Sequence, residues 1–230
     1  MNPSDPMNLK DKTFDTDTFD VSGRPLRLTA LGHSSLMWQW DGLVIHIDPW
    51  GAQADYSTLP KADVILVTHE HRDHYDPEAI ATVRKPTTRL VVNPAVRALA
   101  DEGESLSHGR HLDLGAFSVE AVPAYNLGEK QKFHPPGRDN GYLLTFGSYR
   151  VLVAGDTEDT PELKAHKNID VAFLPMNQPY TMTPDQVASA AKAFRPRILY
   201  PYHTGDTDTS LLPPLLKNEK GLEVRLRRLA

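Results

Sequence analysis

Short apolar runs separated by polar turns dominate the chain, and their spacing predicts many strands and a few helices. Residues 26–31 and 35–40 flank Gly32-His33-Ser34, and residues 43–47 follow Asp41-Gly42, a turn of the kind that closes hairpins, so this region is expected to be a β-meander. Residues 63–67 form a continuous apolar run, the pattern of a strand buried on both faces. Asp76-Pro77 then supplies a capping carboxylate and a proline at the first helical position, predicting a helix over 77–85. A strand over 89–92 and a helix over 94–102, stopped by Gly103, follow. Further strands are expected over 117–123, 141–146, 149–154, 171–175 and 197–202, the second and third paired across Gly147-Ser148. A short helix is expected over 161–166. Thr183 and Pro184 open another that runs to Phe194, with Val187, Ala190, Ala191 and Phe194 on one face. Residues 211–216 and 223–226 close the chain, and the alternation of strands with helices predicts an α/β scaffold.

At 230 residues the chain is long enough for one sizeable core, and no linker-like stretch divides it. One domain over residues 21–230 is the expectation, preceded by residues 1–20 as a polar arm or an added edge strand. Within that stretch, residues 13–20 alternate Thr and Phe with Asp and leave both readings open. A hydrophobic content of 40% and a charged content of 24% are ordinary for a soluble globular protein. No apolar stretch approaches the length of a membrane span or the core of a secretory signal, so a cytoplasmic protein without a membrane partner is expected. The net charge of −5 gives no global attraction to phosphate backbones, which disfavours nucleic acid. A small molecule is the expected partner, and a homo-oligomer is compatible with the composition.

The chemistry is concentrated in Thr68-His69-Glu70-His71-Arg72-Asp73-His74, between the buried strand and the helix cap. In a tight strand-to-helix loop His69, His71, Asp73 and His74 can converge on a small volume, and imidazole with carboxylate is a donor set that borderline divalent metals accept. The chain has no cysteine, so any metal is held by nitrogen and oxygen. Zinc is the first expectation, and manganese or iron accept the same donors. His46 stands alone in mid-strand and reads as a core histidine, whereas His108 and His111 read as solvated. The loop 127–140 holds Lys130, Lys132, Arg138, two prolines and two glycines. Such a loop over a strand-end site can set specificity, and its cations suit an anionic substrate, although a solvated surface loop fits the composition equally. Asn177, Gln178 and Tyr180, at the exit of the 171–175 strand, are placed to hydrogen-bond a substrate.

The stretch Thr68-His69-x-His71-x-Asp73-His74 resembles the signature of the metallo-β-lactamase fold superfamily, and Gly32-His33-Ser34-Ser35, Ile47-Asp48-Pro49, Gly155-Asp156-Thr157 and His203-Thr204-Gly205 extend the resemblance in the expected order. It implies a four-layer αβ/βα sandwich with two divalent metal ions at one edge. His69 and His71 would hold the first metal, Asp73, His74 and His203 the second, and Asp156 would bridge them. The motifs at His33 and Asp48 would line the site, with Asp48 fixing the tautomer of a ligating histidine. A histidine common in the superfamily is replaced here by Asn126. Either His134 swings in from the following loop as the missing ligand, leaving Asn126 to the substrate, or the first metal has fewer protein ligands and His134 meets the substrate. Small enzymes similar to ascorbate phosphate lactonases are the nearest branch. The function implied is hydrolysis of a small anionic ester, lactone or phosphoester by a metal-activated water, with Asp73 catalytic. A nucleic-acid phosphodiesterase of the same fold and a metal-binding protein with little turnover are the alternatives.

Overall fold

The computed structural model describes residues 9 and 12–230. The first sheet contains β1 (Asp15–Val21), β2 (Arg24–Gly32), β3 (Ser35–Trp40), β4 (Leu43–Ile47), β5 (Val64–Val67), β6 (Arg89–Val92) and β7 (Glu104–Ser105), in that spatial order. Helices α1 (Pro77–Val83) and α2 (Pro94–Ala100) lie in the β5–β6 and β6–β7 connections. The second sheet contains β8 (His111–Asp113), β9 (Ser118–Ala124), β10 (Asp139–Phe146), β11 (Tyr149–Val153), β12 (Val171–Pro175), β13 (Ile198–Tyr202) and β14 (Glu223–Val224), again in sequence order across the sheet. Its helices are α3 (Pro161–Lys164), α4 (Pro184–Phe194) and α5 (Leu212–Leu216). In each sheet the first four strands pair antiparallel and the later strands add in parallel.

The two-residue period of a strand explains the layers. Leu36, Trp38, Ile45, Ile47, Val64 and Leu66 from one sheet meet Val119, Tyr142, Leu144, Val153, Phe173 and Tyr200 from the other in a central core. The residues between them point outward. Met37, Ile65, Val67, Leu90 and Val92 pack with Ile80, Val83 and Val96 of α1 and α2. Leu143, Leu152, Ala172, Leu174 and Leu199 pack with Leu163, Val187, Ala191, Phe194 and Leu212 of α3, α4 and α5. Three apolar interfaces therefore separate four layers, which is the αβ/βα sandwich of the metallo-β-lactamase type.

Helix starts follow the sequence signals. Asp76 accepts from the Glu78 and Ala79 amides ahead of α1, and Thr183 and Gln186 form a reciprocal capping box on α4. Helices α1, α2 and α3 end at Val83, Ala100 and Lys164, two residues short of the spans expected from composition, and the small edge strands β7 and β8 carry too little pattern to be predicted. Residues 15–21 pair along β2, and Asp17 and Asp15 bind Arg225, Arg227 and Arg228 from the segment after β14, fastening the first sheet's outer strand to the far end of the chain. The part of the expected N-terminal arm over residues 1–8 and 10–11 lies outside the described residues. Among the described residues no helix is long and apolar enough to cross a membrane.

His46 is fully buried on β4, and its Nε2 donates to the Pro60 carbonyl at 3.1 Å while Nδ1 has no partner. His108 differs from the solvated residue expected, since its Nε2 bonds the Asp139 carbonyl at 2.8 Å; His111 is exposed. Burial lowers the His46 pKa from 6.5 to about 4, against the raising effect of the Pro60 hydrogen bond. The unfolded chain therefore binds a proton that the folded chain refuses, so this contribution is complete above pH 6.5 and is lost as pH falls toward 4. The full penalty is about 3 kcal/mol. Thermal unfolding followed from about pH 7.5 to about pH 4.5 is expected to fall more steeply for the native chain than for His46→Met; parallel slopes would exclude this role.

Candidate metal centre

All of the candidate groups come from strand ends or adjoining turns on one edge of the sandwich. The loop after β5 carries His69, His71, Asp73 and His74; the β9–β10 loop carries His134; β11, β13 and β4 deliver Asp156, His203 and Asp48; and the β2–β3 turn carries His33. Parallel strands end with unpaired backbone and open space beyond them, which is where such sheets place sites. His33, Asp48 and His203 have φ of 53°, 44° and 48°, a left-handed conformation uncommon for residues other than glycine. Gly155 precedes Asp156 with φ 67°, and a Cβ there would collide with the Asn140 carbonyl, so only glycine allows β10 and β11 to close behind Asp156.

The ligand-type atoms of His69, His71 and His134 lie within 4.8 Å of one another, as do those of His69, His74 and Asp156, and those of His33, Asp73, His74 and His203. His69 Nε2 and His71 Nδ1 are 3.0 Å apart. Asp156 Oδ2 stands 3.3 Å from His134 Nε2, 3.4 Å from His203 Nε2 and 3.6 Å from His74 Nε2, between the two groups of imidazoles.

Outer partners set which nitrogen of each ring faces inward. Asp48 accepts from the Thr68 amide at 2.8 Å, the Thr68 hydroxyl at 2.7 Å and His74 Nδ1 at 2.8 Å. The Thr68 oxygen in turn lies 3.0 Å from His69 Nδ1, so Nε2 of both rings faces the other ligand-type groups, that of His69 lying 3.0 Å from His71 Nδ1. Asp139 accepts from His134 Nδ1 at 3.0 Å and is held by the Arg138 guanidinium through both oxygens. His203 Nδ1 lies 3.2 Å from the Asn177 side-chain amide.

Burial lowers the pKa of His69, reinforced by the charge of His74, and lowers His71, reinforced by His134. Burial alone would also lower His74, but Asp156 and Asp48 override it and hold His74 well above the usual range. Burial opposes ionisation of Asp156 and of Asp73 as well. The charges of His203 and His74 nevertheless hold Asp156 well below its ordinary value, and the His203 and His33 rings, with Nε2 3.3 Å and 3.0 Å from its Oδ2, do the same for Asp73. A divalent cation can take over from the His74 proton as counter-charge, so loading releases protons. The donor set fits that role on a direct observation: His74 Nε2, His203 Nε2 and Asp156 Oδ1 are buried and make no hydrogen bond among the described residues. Unpaired polar atoms in an interior are costly, and a shared cation would satisfy these.

The other expected residues fall differently. Asn126 is buried, and its amide nitrogen donates to the carbonyls of Tyr180 at 2.6 Å and Lys130 at 3.3 Å, tying two loops together, while His134 is the group against Asp156. Arg138 does not face a substrate space; it is spent on Asp139, the Phe133 carbonyl and Glu70. Lys130 likewise bonds Glu158 and the Thr181 carbonyl. Tyr180 is 46% exposed, packs edge-on against Phe133, and lines a cavity of about 370 Å³ with His71, Arg72, Asp73 and His134. Sequence reasoning passed over Asp139, whose only signal is its place beside Arg138 at the start of a strand, and Arg72, which hides between ligand-type residues.

Fold and donor set together define a metal-dependent hydrolase of the metallo-β-lactamase superfamily. Residues 27–203 match the family described as Beta-lactamase superfamily domain, and the chain belongs to it. It is 32% identical over 190 residues to a UPF0173 metal-dependent hydrolase of Ligilactobacillus salivarius, covering 77% of this chain and 84% of that one. A counterpart in Koribacter versatilis is 31% identical over 204 residues, covering 81% and 86%. Among solved structures, a protein from Parabacteroides distasonis assigned as a metal-dependent hydrolase superposes with a TM-score of 0.93 at 48% identity, covering 95% of this chain and 100% of that one. The metallo hydrolase Igni18 of Ignicoccus hospitalis superposes at 0.73 with 22% identity, over 89% and 96%, a likeness of fold.

Asp139→Asn is expected to weaken metal retention about 10- to 100-fold, because the amide holds the His134 ring less firmly and reduces its basicity. Competition with a chromophoric chelator measures this; an unchanged affinity would remove His134 from the donor set.

Proposed function

We propose that this chain is a binuclear hydrolase of a small anionic ester, lactone or phosphoester. In this reading His69, His71 and His134 hold one cation, Asp73, His74 and His203 the other, and Asp156 joins them. The observation that carries it is the convergence of His74 Nε2, His203 Nε2 and Asp156 Oδ1, buried together without hydrogen-bond partners. The imidazole-rich set favours zinc, with manganese or iron as substitutes. Two such cations, when bound, acidify a water and stabilise the negative charge that builds on a carbonyl or phosphoryl oxygen.

The chain's own groups supply the rest. Asp73 has about a third of its side chain open to the cavity (34%), and the surrounding imidazoles keep it ionised, so it serves as an acceptor that orients an attacking O–H rather than as a strong base. Phe133 and Tyr180 wall the cavity with aromatic surface and limit water. Arg72 is exposed at the cavity and, among the described residues, makes no ion pair or hydrogen bond, unlike Lys130 and Arg138. Among the described residues it is the Lys or Arg that lines the cavity, while Lys132 lies over the Phe133 ring, and this suits a lactone or ester of the ascorbate phosphate type. A net charge of −5 and a cavity of about 370 Å³ favour such a molecule over a nucleic acid strand.

Zinc-loaded protein assayed on lactones and phosphoesters, each with and without a second anionic group, is expected to lose turnover on chelation. Asp73→Asn should reduce it at least about 100-fold. Arg72→Met should lower kcat/KM about tenfold on the anionic members alone. Turnover that survives complete chelation would overturn the reading.

A further inference from the structure

His33 stands apart from the signature residues, in the β2–β3 turn, and does not line the substrate cavity. Its Nε2 is 3.0 Å from Asp73 Oδ2, His203 Nε2 is 3.3 Å from the same oxygen and His74 Nε2 is 3.7 Å from it. A carboxylate oxygen has two lone pairs, so three imidazole nitrogens gathered round it are more than hydrogen bonding can use. The four donor atoms lie within 4.8 Å of one another. Donors about 2.0–2.2 Å from one cation sit roughly 3–4 Å apart, so this spacing is that of a ligand shell.

The backbone holds the ring there. The His33 amide donates to the Ala230 carbonyl at 3.1 Å, and its own carbonyl accepts from the His203 amide at 3.0 Å. These bonds support a left-handed φ of 53° and bring the His33 and His203 rings to 3.8 Å between centroids, tilted by 42°. The Trp50 ring lies 5.1 Å from that of His33, tilted by 60°.

Resting on the metallohydrolase reading above, we infer that His33 is a third imidazole donor to the second cation, beside His74 and His203. That position then draws on His33, Asp73, His74, His203 and the shared Asp156, against His69, His71, His134 and Asp156 at the first. The better-supplied second cation is held more tightly. Ligands of both line the cavity, His71 and His134 of the first and Asp73 and His203 of the second.

Histidine labelled with nitrogen-15 in the cadmium-113-loaded full chain reads this directly, since each ligating nitrogen shows one-bond coupling to the metal. Six coupled imidazoles, from His33, His69, His71, His74, His134 and His203, are expected, with His33 assigned by its loss in His33→Asn. Asparagine tolerates the left-handed backbone, and His33→Gly provides a second variant should the first fail to fold. In either variant affinity for the second cation should fall at least tenfold, roughly, while the first changes less than about twofold. Coupling at the other five with none at His33 overturns the inference and leaves the metallohydrolase reading standing. Coupling at none defeats both.

Discussion

Contact between the two sheets at one edge is the constraint on which the rest depends. The Tyr142 hydroxyl donates to the Val67 carbonyl at 2.7 Å, the Asn140 amide to the Thr68 carbonyl at 3.0 Å, and the His203 amide to the His33 carbonyl at 3.0 Å. Each satisfies a backbone group that burial would otherwise leave unpaired. Each also sets a loop of one sheet against a strand end of the other, so the histidines that follow β5 face an aspartate and a histidine from strands more than eighty residues later. The central apolar layer holds the sheets in that register.

Charge balance then decides the arrangement within the edge. Asp48, Asp139 and Asp156 are buried almost completely, and a buried carboxylate persists only with a partner. Asp48 and Asp139 lie behind histidines and turn their rings, whereas Asp156 lies in front of three. The outer pairs direct nitrogens toward the inner carboxylate. The result is a concentration of donors that is self-repelling alone and complementary to cations.

The 127–140 loop completes this arrangement instead of covering it with positive charge. Arg138 secures Asp139, which orients His134, and Lys130 secures Glu158, which also binds the Leu127 amide and Gln186 of α4. Arg138 thereby steadies the His134 ring through Asp139, and Asn126 fastens the loop to the neighbouring Tyr180 segment. Arg72, in the middle of the metal motif, is the Lys or Arg that lines the cavity among the described residues.

Much of this was legible in the chain itself. The apolar runs of β5, β11, β12 and β13 marked strands, and the dense HxHxDH stretch marked a metal-type loop, because both signals are local. Asp139, the spent state of Arg138 and the gathering of His33 with His203 were not legible, since each depends on a contact between residues distant in sequence. The amino-acid order alone determined the elements, the layer pattern and the donor types. Tertiary structure decided which nitrogen of each histidine faces inward, which cations are paired and that His134, not Asn126, lies against Asp156, because these follow from burial and pairing, which exist only once the two sheets have closed on each other.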